Sequence, residues 1–207
     1  GLLMVYSTSG VGSLMSSGDP FAVVAPQALW ALLGLIALFV MMRLDYRWLR
    51  PVAVVGFLGV LALLVAVLMP PIPGILRPIE GGGSTRWLQV GPLPAFHPAE
   101  LAKLALVVFL AHWLDRRGGK VGSLLNGLFP FLVLTGPLFV LVLLEPDLGT
   151  TGVLVLTALS MFVVAGGSLW QLAALAPGAL AALAFLVSRS TYQMARVDAF
   201  LDPWKDP

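Results

Sequence analysis

Apolar residues in this chain come in runs, not in alternation. Phe21 to Met42, Pro51 to Met69, Leu124 to Leu144 and Leu169 to Val187 are each near the length of a membrane-spanning helix, and Ala99 to Leu114 and Gly152 to Ala165 are shorter runs of the same kind. A helix needs roughly 20 residues to cross a hydrocarbon core about 30 Å thick. Strands of a membrane barrel would alternate apolar and polar positions, and that period is missing. The pattern predicts an all-α, polytopic transmembrane helical bundle, a single membrane domain over residues 1–207 with a partial first helix and about six further crossings. GLLMVYS is the partial helix, and the small polar residues from Gly10 to Pro20 read as a flexible loop after it. Pro137 and Pro177 fall inside predicted helices, where neighbouring helices can re-satisfy the freed carbonyls.

The polar stretches between the runs set an orientation. RLDYRWLR (Arg43–Arg50) and DRRGGK (Asp115–Lys120) are short basic connections that an alternating path puts on one side, whereas Gly10 to Pro20 has no Lys or Arg. Lys and Arg in short loops mark the cytoplasmic face. The long Pro- and Gly-rich connection over residues 70–98, the turn EPDLGTT (Glu145–Thr151) and the tail over residues 189–207 then share the outer face. Their convergence is the main reason to expect a site there.

Composition narrows the classes. With 207 residues, 59% hydrophobic and 11% charged, and a mean hydropathy of +0.97, the chain is no ordinary soluble domain. A net charge of +2 is too small to argue for nucleic acid, and the absence of Cys removes disulfide and thiol chemistry. Phosphate-loop, GxSxG and HExxH patterns are missing. No metal site is called and no cofactor is evident; a divalent cation is possible but not readable from the sequence. The chain opens on Gly1 and closes in the polar DPWKDP, so it reads as the N-terminal and central part of a longer protein.

Five residues carry the candidate chemistry. Glu100 and Lys103 lie three apart at the start of an apolar helix, on one face. Charges at membrane depth cost roughly 2.5 to 3.5 kcal/mol each on insertion scales, so an interior pair points to function; the alternative is an ion pair that only fixes packing. Arg86, beside Trp87, suits a phosphate or pyrophosphate head group because a guanidinium donates two parallel hydrogen bonds, but an Arg-Trp pair can equally anchor a loop. In EPDLGTT, Glu145 and Asp147 either line a cavity faced by a helix N-terminus starting at Thr150 or Thr151, or form a turn whose acids face water. His97, before Pro98, is a lone histidine with no second ligand nearby, and His112 reads as interfacial.

These residues sit in a pattern that resembles a known family. GSTRWLQVGPLPAFHPAELAKLALVVFLA resembles the G-(A/S)-x-R-W-(I/L)-x-(L/V)-G…F-Q-P-(S/A)-E-x-x-K block of the SEDS proteins (shape, elongation, division and sporulation). EPDLGTT is similar to their (Q/E)-P-D-L-G-T motif, and RVDAFLDPWKDP to R-V-x-x-F-(L/W)-(D/N)-P-W-x-D-P. The motifs occur in family order, and the opening LLMVYSTS is similar to the first helix. The Pro203–Trp204 pair looks more like the division members than the elongation members, where Glu usually follows that proline.

The resemblance implies a multi-pass peptidoglycan glycosyltransferase of the bacterial cytoplasmic membrane, polymerising lipid II at the outer face in septal cell-wall synthesis beside a class B penicillin-binding transpeptidase and other division proteins. It also implies roles. Glu100 and Lys103 are the buried pair of a central cavity, Arg86 a head-group contact and Asp147 a cavity carboxylate. The catalytic carboxylate is expected beyond Pro207, so residues 1–207 alone are expected to be inactive. His97 stands where the family commonly has Gln. A lipid II flippase, an elongation-type polymerase and a non-catalytic division scaffold are the alternatives.

Overall fold

A computed structural model describes residues 1–72, 76–81, 84–91, 95–189 and 194. The tail motif RVDAFLDPWKDP therefore lies outside the described residues. The chain divides into two compact units, Gly1–Trp48 and Leu49–Pro207.

In the first unit, helix α1 spans Leu2–Ser17 and α2 spans Val24–Arg43. The loop expected over Gly10 to Pro20 is thus a helix as far as Ser17. Gly and Ser are turn formers in water because their backbone and hydroxyls find partners outside a helix. Here the hydroxyls turn back onto the helix itself: Thr8 Oγ1 donates to the Met4 carbonyl at 2.8 Å, Ser9 Oγ to Val5 at 2.6 Å and Ser13 Oγ to Ser9 at 2.8 Å. The helix ends at Gly18, whose φ of 74° only glycine adopts without strain. No residue of α2 is buried, and it is apolar on all sides, as expected of a helix facing lipid tails.

The second unit is a packed bundle. Helix α3 (Leu49–Leu68) leads through the hairpin β1 (Leu76–Gly81) and β2 (Ser84–Val90) to α4 (Pro98–Arg117), α5 (Phe129–Leu144), α6 (Leu148–Val164) and α7 (Leu169–Arg189). The buried residues fall at steps of mostly three and four: Ala53, Phe57, Val60, Leu64 and Val67 in α3; Phe131, Thr135, Leu138 and Val142 in α5; Thr151, Leu154, Ala158 and Phe162 in α6. Such steps keep one stripe of each helix on a common seam. Ala99 and Ala102 are fully buried on α4 and let neighbouring backbones approach, which matters where packing and not hydrophobic burial holds helices together. Phe57 stacks on Phe109 with ring centres 4.2 Å apart, and Phe131 meets Phe162 at 4.6 Å. The one buried hydroxyl of α5, on Thr135, donates to the Phe131 carbonyl at 2.8 Å.

Among the described residues three helical segments are long and apolar enough to cross a membrane, Val24–Arg43, Tyr46–Leu68 and Leu124–Leu144, with Leu148–Val164 and Leu169–Ala182 shorter. Helix α5 is entered through a π-helical turn at Leu124–Leu128, where any side chain on Gly127 would run into the Val121 carbonyl. Helices α5 and α7 run on through Pro137 and Pro177.

Candidate functional site

Helices α4 and α6 both begin at the end of the bundle where α5 finishes, and the hairpin is placed there by pairing. The pairing runs from Ile79 opposite Trp87 to Glu80 opposite Thr85, so Arg86 is the extra residue of a β-bulge, and Leu88, two residues on, is fully buried. Leu88 also exchanges backbone hydrogen bonds with Phe96, N–H to carbonyl at 2.9 and 3.0 Å. This bridge fixes the residue before His97, which is the N-cap of α4, with Pro98 in its first turn. The rings of His97 and Trp87 meet edge to face, 5.8 Å between centres.

Opposite the hairpin lies the turn joining α5 to α6. Asp147, not a threonine, caps α6: its Oδ1 accepts from the Thr150 N–H at 3.0 Å, and Thr151 Oγ1 donates to the Asp147 carbonyl at 2.7 Å. Helix α6 thus begins at Leu148, earlier than the apolar run suggested, because an aspartate side chain substitutes for the missing carbonyl of the preceding turn. Arg86 reaches across from β2. Its Nε donates to the Glu145 carbonyl at 3.1 Å and its Nη2 to the Pro146 carbonyl at 2.8 Å.

Neither earlier reading of the two acids as a pair holds. Glu145 is 1% exposed, and neither carboxyl oxygen has a hydrogen-bond partner; His97 Nδ1 is likewise buried without one. Burial pushes the Glu145 carboxyl up to about 8, the Asp147 charge adds to the rise and Arg86 opposes it, so Glu145 is a neutral acid at pH 7. Burial also pulls Asp147 upward, but the hydrogen bonds from Thr150 and the charges of Arg86 and His97 outweigh it and hold the group below its ordinary value, ionised. His97 is lowered chiefly by burial, against the pull of Asp147 and Glu100. Its Nε2 stands 3.7 Å from Asp147 Oδ2, so at neutral pH the contact joins a neutral ring to a carboxylate and is no ion pair.

Glu100 and Lys103 make a direct ion pair at 2.7 Å in the first turn of α4. The pair is not buried as expected: the side chains are 61% and 36% exposed, on a face of α4 that the described residues leave open. The acid in the first turn suits the helix dipole. His112 is half-buried toward the other end of α4. Among the described residues no three His or acidic side chains gather to hold a metal ion. Two cavities of about 400 Å³ lie away from this site, one between the C-terminal ends of α4 and α6, the other between the start of α5 and α7.

The structure therefore brings Arg86, His97, Glu145 and Asp147 together, with Glu100 and Lys103 one turn along from His97. The sequence reading missed the clamp from Arg86 to a turn 59 residues away and the burial of Glu145. The available signal was EPD directly after an apolar run, where an acid ends a helix without a basic neighbour.

A family profile for cell cycle proteins, FtsW/RodA/SpoVE, matches residues 1–207. The chain belongs to this family. Among relatives, a protein from Geobacter sp. strain M18 named probable peptidoglycan glycosyltransferase FtsW is 35% identical over all of this chain and 55% of its own length. Stage V sporulation protein E of Bacillus subtilis is also 35% identical, again over all of this chain and 55% of its own length. The chain thus spans about half the length of these FtsW/RodA/SpoVE relatives. Among solved structures, a chain from work on the coordination of polymerization and crosslinking by a peptidoglycan synthase complex superposes with a TM-score of 0.70 at 31% identity, covering 100% of this chain and 58% of that one. Thermus thermophilus RodA superposes at 0.62, with 29% identity, over 96% and 64%. FtsW/RodA/SpoVE membership and these structures agree with the polytopic helical membrane fold read from the apolar runs.

Proposed function

We propose that this chain is part of a peptidoglycan glycosyltransferase that polymerises lipid II at the outer face of the bacterial cytoplasmic membrane during septal cell-wall synthesis. The observation that carries the reading is the gathering of Arg86, His97, Asp147 and the open Glu100–Lys103 pair at one end of a bundle whose opposite connections are basic. Polymerisation joins an acceptor hydroxyl to the anomeric carbon of a donor sugar while a lipid pyrophosphate leaves. A positive group near the leaving oxygens offsets the charge that develops there, and a base draws the proton from the hydroxyl. Lys103, whose ammonium stands on an open face, suits the first task, with Glu100 holding it in place. No residue of this chain is assigned as the base. The names of relatives and the synthase-complex structure support both the activity and a class B penicillin-binding transpeptidase as partner.

The clustering of the polar motifs at the outer end supports this reading over a lipid flippase, which would need a polar path reaching the cytoplasmic face. The test is polymerisation of purified lipid II by the full-length protein with its cognate transpeptidase, comparing wild type with Glu100→Gln and Lys103→Met. Loss of glycan chains in both variants, with melting temperature kept, is the expected result. Unchanged chains in both would reduce the pair to packing, and a wild type that makes none would favour flippase or scaffold.

A further inference from the structure

Arg86 acts electrostatically on both the Glu145 and Asp147 carboxyls and lies against the carbonyls of the turn that carries them. A guanidinium beside an ionised carboxylate ordinarily takes it in a two-point fork. Here Nε and Nη2 go to the carbonyls of Glu145 and Pro146 instead. The Glu145 carboxyl, fully buried, receives nothing from any donor. A buried carboxylate beside an arginine that ignores it is an unstable arrangement, whereas a buried carboxylic acid there is not.

From this geometry we infer that Arg86 is a positioning residue, which grips two carbonyls of the turn to aim the Asp147 carboxylate, and that Glu145 must stay uncharged for the grip to hold. The charged groups facing Glu145 are Arg86 from β2 and Asp147 at the start of α6. His97 of α4 approaches Asp147, and Arg50 of α3 is engaged with Asp115, a residue near the other end of α4. Once ionised, Glu145 competes with the carbonyls for the guanidinium and opens the turn, so the Thr150 N–H loses its cap. The role in catalysis rests on the polymerase reading; the clamp does not.

The experiment is hydrogen–deuterium exchange of the full-length protein in lipid nanodiscs, read over residues 142–152. Arg86→Lys keeps the charge but loses the two-point grip, and exchange at Thr150 and Thr151 is expected to quicken about tenfold or more, with the other helices unchanged. In wild type, raising the pH from about 7 to about 9.5 should open the same segment beyond the intrinsic rate change, and Glu145→Gln should keep it closed. Lipid II turnover adds a kinetic reading: Arg86→Lys should lower kcat with KM nearly unchanged. Unaltered exchange in Arg86→Lys overturns the clamp, as does wild-type exchange that matches Glu145→Gln across the pH range. A raised KM at intact kcat would make Arg86 a substrate contact instead. If Arg86→Lys fails to fold, the comparison of wild type with Glu145→Gln decides, and if wild type makes no glycan the exchange results still stand.

Discussion

Two clusters of charge sit at the same end of the bundle and are built in opposite ways. Glu100 and Lys103 form a short, direct ion pair at 2.7 Å on an open face. Arg86, Glu145, Asp147 and His97 are more buried, yet none of their side chains forms a close ion pair with another; His97 and Asp147 approach only to 3.7 Å, and Arg86 bonds to backbone. The shorter contact is the less committed one. An exposed pair is solvated with or without its partner and contributes about 0–1 kcal/mol, whereas groups removed from water must have their bonds satisfied within the protein. The first arrangement leaves charge available to a ligand; the second uses charge to hold a turn.

The largest effect expected from this contrast is in Arg86→Met, which leaves two carbonyls of the turn without their charged donor. Hydrogen bonds to charged groups contribute about 1.5–3 kcal/mol each, so a loss of about 3 kcal/mol or more should show in equilibrium unfolding in detergent. A cost below about 1 kcal/mol would erase the distinction between the clusters, since it would match an exposed pair. Asp147→Ala comes next: removing the N-cap of α6 should cost about 1–2 kcal/mol, and Asp147→Asn, which can still accept from Thr150, should recover most of it.

Glu145→Gln sharpens the comparison through pH. The folded carboxyl titrates near 8 against an ordinary value of 4.5, so between these values the folded protein keeps a proton that the unfolded chain has released. Wild-type stability attributable to this group is full below about pH 4.5 and is lost as pH rises toward and through 8. Glu145→Gln is expected to be nearly neutral in mild acid and progressively more stable than wild type as pH rises, by thermal melting. Parallel melting curves over the whole range would show an ionised or hydrated Glu145. The smallest stability effect belongs to Lys103→Met, under about 1 kcal/mol, even though the same substitution is expected to abolish polymerisation by the full-length protein.

How much of this was legible follows from what each feature depends on. Helices α2, α3, α5, α6 and α7 are written in runs of apolar residues, and α4 in the His97-Pro98 start and the Arg116-Arg117 end. The hairpin was not legible, because Pro78 and Gly81 interrupt its alternation and its position depends on a bridge to Phe96. Gly10 to Ser17 was misread because rules for Gly and Ser describe chains whose backbone can bond to water. Glu100 and Lys103 were expected inside because charge in an apolar run usually faces protein, but which face of α4 is covered depends on partners distant in sequence. The burial of Glu145 and the task of Arg86 were beyond reach for the same reason: each is defined by the other's position.

The contact from Arg86 to the Glu145 carbonyl spans 59 residues. At synthesis rates of about 5–20 residues per second, the arginine emerges roughly 3–12 seconds before its acceptors. Through that interval α4 can start on its proline and Leu88 can pair with Phe96, while Arg86 has no turn to grip. The turn closes only when α5 has ended and α6 has begun, which makes it a late checkpoint on correct insertion of both helices: if either fails to insert, Arg86 has no carbonyls to grip, and the mouth of the bundle stays open.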